Sequence, residues 1–272
     1  IIRTDKIQFL LMFSGFILMI FYLYNSFGGI YFIMENVPKQ NLSITGNLPI
    51  GYILSWSLIS MITFIDPNIF QRVYSSKNHT TIKNGIFISI VFWLFFDILT
   101  ITVGLYASAI IDKQSLIGNP YLVLADTILP ETIKIIFYIS LLSIVMSTID
   151  SFTFVSAYTM SKDLFSSKNL YRGTQIGLLV TGFLSYLIIL NFKNVVDIWY
   201  VFGSIAASTI LIPFLLLIFY PNKRLKLPFT TIIIPLIIAI IWLLLEYPFG
   251  LDLMYPGILS SCVLSYFLLD RE

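Results

Sequence analysis

Eight stretches of this sequence, at residues 7–26, 49–66, 85–110, 133–160, 174–192, 197–220, 229–247 and 253–269, are almost continuously apolar. Each runs for roughly 17 to 28 residues, and at about 1.5 Å rise per residue that is enough helix to cross a hydrocarbon core of about 30 Å. A backbone surrounded by lipid has to satisfy its own hydrogen bonds, so the α-helix is the structure open to such segments. The polar segments between them leave no room for a water-soluble domain. The sequence therefore predicts an all-α integral membrane protein, a single transmembrane domain over residues 1–272. Composition agrees: 58% of residues are hydrophobic and 11% charged, whereas soluble domains carry about a quarter charged residues.

The charges that remain are placed unevenly. With the N-terminus in the cytoplasm, the inner segments hold Arg3, Lys6, Arg72, Lys77, Lys83, Lys162, Lys168, Arg172, Lys223, Arg224, Lys226 and Arg271, and the outer ones hold Lys39, Lys113, Lys134 and Lys193. An excess of about three to one that alternates through every loop is the positive-inside pattern. It predicts a multi-pass protein of the cell membrane with both termini cytoplasmic. The chain opens on Ile1, its first methionine is Met12 inside the first stretch, and Arg3 to Lys6 reads as the middle of a longer sequence. That suggests a separately encoded or missing N-terminal half.

Several functions are disfavoured. A net charge of +2 offers no basis for binding nucleic acid. One cysteine, Cys262, and one histidine leave no disulfide framework and little for zinc or nucleophilic chemistry.

The fourth stretch carries the most informative pattern. At about 100° per residue, Ser140, Ser143, Ser147, Asp150 and Ser151 fall within a third of one helix circumference. Hydroxyls in membrane helices often serve close packing, and Ser140 and Ser143 fit that reading as well as a ligand role. A carboxylate at membrane depth is expensive and usually faces a cavity, an ion or a proton path. Oxygen donors without thiolate or imidazole suit a hard cation such as sodium, and Asp150 also leaves proton coupling open. Asp97, isolated within the third stretch, needs a partner or a proton, and no role follows from its surroundings.

Four segments in order resemble the sodium:solute symporter family, which includes proline, pantothenate, sugar and sialic-acid carriers. They are RTDKIQ (Arg3–Gln8), DPNIFQR (Asp66–Arg72), VMSTIDS (Val145–Ser151) and GSIAASTILIP (Gly203–Pro213). The resemblance implies part of an inverted-repeat, amino-acid/sodium symporter-like fold. The eight stretches then correspond to core helices five to ten plus two extra C-terminal helices. It implies sodium-coupled symport of a small polar solute by alternating access, with sodium as the coupling ion, the lipid bilayer as solvent and no enzymatic step.

By the same match, a first sodium would meet the Ile144 carbonyl, Ser147 and Thr148. A second would meet Ser147, Asp150, Ser151 and Asp5. Two carboxylates would overcompensate one sodium, so a proton is an alternative for the pair. Asp5 has another reading, as a carboxylate favoured at a helix N-terminus. The second stretch corresponds to a helix that lines the substrate cavity in relatives. There Trp56, Ser60 and Thr63 could present a ring and two hydroxyls to a solute, or pack between helices. Proline carriers hold aromatic rings at the positions of Ile59 and Thr63, which argues against proline. A membrane solute sensor that kept the fold and a nonfunctional split-gene remnant remain alternatives. A membrane enzyme lacks a nucleophile–base set.

Overall fold

The computed structural model of the chain describes residues 2–111, 119–192 and 194–270. The Arg3 side chain, Lys113, Lys193 and Arg271, which enter the charge asymmetry, lie outside the described residues. Regular structure among the described residues is helical, apart from one isolated antiparallel bridge between Leu225 and Leu269. In chain order the α-helices are α1 (Ile2–Phe27), α2 (Ile30–Asn36), α3 (Ile50–Ser60), α4 (Pro67–Tyr74), α5 (His79–Ile110), α6 (Pro120–Ile128), α7 (Glu131–Thr159), α8 (Leu170–Asn191), α9 (Val195–Ala206), α10 (Ile212–Phe219), α11 (Thr230–Leu244) and α12 (Met254–Leu268). Six helical runs, Thr4–Phe27, Ile50–Tyr74, His79–Ile110, Glu131–Leu164, Leu170–Asn191 and Val195–Phe219, are long and apolar enough to cross a membrane, and α11 and α12 are shorter apolar helices.

Two of the expected helices are interrupted. The second stretch is α3 as far as Ser60, a 3₁₀ turn over Met61–Ile65, an extended Asp66 and then α4. Pro67 accounts for the break, because its ring disfavours helical backbone at the residue before it. The sixth stretch is α9, a π-helical turn over Ala207–Leu211 and then α10. Pro213 cannot donate to the carbonyl one turn earlier, and a widened turn is a usual accommodation. The structure also adds α2 and α6 in the loops. Asn119 caps α6 by accepting the Tyr121 N–H at 2.9 Å and Pro120 opens it, but nine residues are too few to span a bilayer.

The chain folds as two compact units, Ile1–Asn47 with Ser75–Thr181, and Leu48–Tyr74 with Gly182–Glu272. In the first unit α1 packs between α5 and α7. Toward α5 it presents rings: Phe13 stacks on Phe95 at 5.8 Å and meets Phe92 and Phe96 edge-on. Gly28, at φ 102°, ends α1 in a conformation that glycine takes readily, and its carbonyl accepts the buried Tyr106 hydroxyl of α5 at 2.5 Å. Lipid exerts no hydrophobic force between helices, so contacts like these rely on close packing and hydrogen bonds.

In the second unit α9, α11 and α12 meet around the π-turn. Buried Ile59, Ala207 and Met254 form its small core, with Trp56 and Tyr200 packed against it. A Cβ on Gly203 would lie 2.8 Å from Ile59 Cγ2, so this glycine permits α3 and α9 to touch.

Candidate functional site

The contact between α1 and α7 sets the geometry of the candidate ion site. Ser140 Oγ donates to the Met12 carbonyl at 3.0 Å, and the Phe16 and Phe137 rings meet edge to face at 5.2 Å. As numbers rise along α1 they fall along α7, so the two helices run antiparallel. At this crossing a Cβ on Gly15 would collide with the Ser140 side chain. The backbones can approach only because that Cβ is missing.

This register brings Asp5 level with the serine stripe. Asp5 precedes Met12 by as many residues as Ser147 follows Ser140, about 10 Å along each axis. Gln8 is level with Ile144 by the same count. On α1, Gln8 and Asp5 point within about 20° and 40° of the direction of Met19, which is fully buried. On α7, Ser147 and Ser151 point within about 20° of Ser140, whereas Thr148 and Asp150 are turned about 80° to either side. Burial follows the same division. Ser140 and Ser143 are buried, Ser147 and Ser151 are half-buried, and Thr148 and Asp150 are exposed.

The hydrogen bonds separate the hydroxyls further. Ser140 is engaged with Met12, and Ser143 donates to the Ile139 carbonyl at 2.8 Å. Thr148 donates to the Ile144 carbonyl at 3.0 Å, so the two first-sodium candidates other than Ser147 are joined to each other. On α1 two oxygens are left over. Asp5 Oδ1 and Gln8 Oε1 are both buried, and no described residue offers either a hydrogen bond. Gln8 as a whole is 9% exposed. Gln8 has no role in the sequence pattern alone, although it closes the RTDKIQ segment and lies one turn from Asp5 on the same face.

The solute candidates sit in the second unit. Trp56 is half-buried, with its ring 5.4 Å from Tyr200 and 6.3 Å from Tyr52. Ser60 is exposed and donates to the Ser57 carbonyl at 2.6 Å. Thr63 is exposed within the 3₁₀ turn, rather than on the continuous α-helix that the spacing assumed. Asp97 lies exposed on α5, and its carbonyl accepts the Thr100 hydroxyl at 3.0 Å.

Together, the α1 and α7 side chains offer hydroxyl, amide and carboxylate oxygens, the donor types that suit a hard cation. A family model, that of the sodium:solute symporter family, matches residues 1–227, ending before α11. Neither the curated proteins nor the solved structures yield a match.

Proposed function

Because the chain belongs to the sodium:solute symporter family, whose members are transporters rather than enzymes, we propose that it carries core helices five to ten of a carrier that couples sodium entry to uptake of a small polar solute. In this reading α1 is the fifth core helix, α3 with α4 the sixth, α5 the seventh, α7 the eighth, α8 the ninth, and α9 with α10 the tenth. The protein sits in the cell membrane with both termini in the cytoplasm, as its charge asymmetry suggests. Two bundles related by inverted repeats rock about the site and expose it to each side in turn.

The observation that carries the proposal is the buried Asp5 oxygen, without a partner among the described residues and level with Ser147 on a tightly packed antiparallel pair. One sodium is held by Asp5, Ser147 and Ser151, with Asp150 adding negative charge at the rim. Another is held partly by the Ile144 carbonyl, Ser147 and Thr148. Sodium entry supplies about 2.3 kcal/mol per charge per 100 mV, in addition to its concentration gradient. Trp56, Ser60 and Thr63 supply a ring and two hydroxyls to the solute.

The test is uptake of a solute panel (sugars, sialic acid, pantothenate, proline) into proteoliposomes containing the full-length protein, with sodium or choline outside at constant pH. The expected result is uptake that requires sodium. In Ser147→Ala and Thr148→Ala the half-saturating sodium should rise about tenfold, the equivalent of about 1.4 kcal/mol of lost ion binding. Uptake that persists unchanged in choline would exclude sodium coupling.

A further inference from the structure

Two buried oxygens one helical turn apart, neither of them given a hydrogen by any described residue, require an explanation. Gln8 Oε1 and Asp5 Oδ1 lie on the stripe of α1 that faces α7, and Gln8 is nine-tenths buried. An amide oxygen and a carboxylate oxygen are both acceptors. A buried acceptor without a partner is destabilising, because burial removes the water that would otherwise relieve it. A single species that satisfies both at once is a cation.

We propose that the Gln8 side-chain oxygen is a direct ligand of a monovalent cation held between α1 and α7, alongside Asp5 and the Ser147 and Ser151 hydroxyls. This rests on the sodium-site reading above and changes its composition. Asp150 is exposed and turned about 80° from the direction in which Ser140 touches α1, so it stands outside the shell. With Gln8 in its place the shell holds one carboxylate and three neutral oxygens. Its charge then matches a single positive ion, and the surplus of two carboxylates around one sodium disappears. A neutral carbonyl is also a hard donor well suited to sodium. The set favours a monovalent ion over a divalent one, which would leave uncompensated positive charge in a buried site.

The experiment reads ion binding directly, independently of solute. The full-length protein is purified in detergent and its unfolding temperature followed as sodium replaces choline at constant ionic strength. Bound ion stabilises the folded state by RT ln(1 + c/Kd) at sodium concentration c, so fitting the rise of that temperature with sodium gives Kd, the half-saturating concentration of the site. Gln8→Leu removes the oxygen and is expected to raise that concentration at least tenfold. Gln8→Glu keeps an acceptor oxygen there at the cost of a second carboxylate, and is expected to stay well below the concentration that Gln8→Leu requires. A purely structural Gln8 predicts otherwise: both variants would lower the sodium-free unfolding temperature and leave the half-saturating sodium within twofold of wild type, which overturns the proposal. If Gln8→Leu does not yield folded protein, Gln8→Met, which keeps the length of the side chain and removes its oxygen, decides instead: the same tenfold rise is expected, and a half-saturating concentration within twofold of wild type overturns the proposal. Asp5→Asn and Ser147→Ala separate the two levels of the argument. Shifts in these variants without one in Gln8→Leu remove Gln8 from the shell and leave the ion site standing. Absence of any sodium stabilisation in the wild type removes both, as does a stabilisation that follows pH and ignores sodium, the signature of a protonated Asp5 donating to Gln8.

Discussion

Ser140 and Ser147 stand about two turns apart on α7 and face the same neighbour, yet their hydroxyls are used differently. Ser140 is buried and donates to the Met12 carbonyl, so it belongs to the packing between helices. Ser147 is half-buried at the level of Asp5, whose buried oxygen no described residue fills. Ser140→Ala should therefore lower stability by about 0.5–1 kcal/mol, as interhelical hydrogen bonds in membranes do, and leave the half-saturating sodium unchanged. Ser147→Ala should do the reverse. Thermal unfolding and sodium titration of both variants check this pair of expectations, and a Ser140→Ala protein with impaired sodium response would contradict it. The serine stripe was legible in the sequence because it depends only on helical period. Which of its hydroxyls engage α1 was not, because that depends on what α1 presents at each level.

At the scale of elements, the crossing of α1 and α7 turns on Gly15. Its missing Cβ is the space that the Ser140 side chain fills. Gly15→Ala should force the helices apart and destabilise the protein by about 1–3 kcal/mol, the range for overpacking a filled contact. Combining it with Ser140→Gly should recover much of that loss in the unfolding temperature, since the steric conflict is removed from the other side. Gly85, on α5, has nothing near the position where a Cβ would be built. Gly85→Ala should leave stability unchanged or raise it by up to about 1 kcal/mol through helix propensity. A loss of stability in Gly85→Ala, equal to that in Gly15→Ala, would refute the packing argument. Helix interruptions were partly readable at this scale. Pro67 and Pro213 mark them in the sequence, but a proline alone does not say whether the chain breaks, as at Asp66, or widens into a π-turn, as at Ala207–Leu211.

For the whole molecule, the charge asymmetry makes a prediction about sidedness. In a Cys262→Ser background, a cysteine placed at the exposed Ile44 should react with a membrane-impermeant thiol reagent added outside intact cells. One placed at the exposed Lys77 should react only after the membrane is opened. Labelling of both from the same side would overturn the orientation.

Membrane residence, helical character, the family and the serine stripe are all properties of the sequence by itself. The physical reason is that each is local: hydropathy sums over about twenty neighbouring residues, helical period over about ten, and a motif over fewer still. That Asp5 and Gln8 lie buried on α1 at the levels of Ser147 and Ile144 on α7 was decided only by the tertiary structure. It depends on the register of two helices far apart in the chain, and that register is set where Gly15 admits Ser140 and Met12 accepts its hydroxyl. Which oxygens are consumed in packing and which are left without a partner among the described residues follows from that contact, and no periodicity within a single helix encodes it.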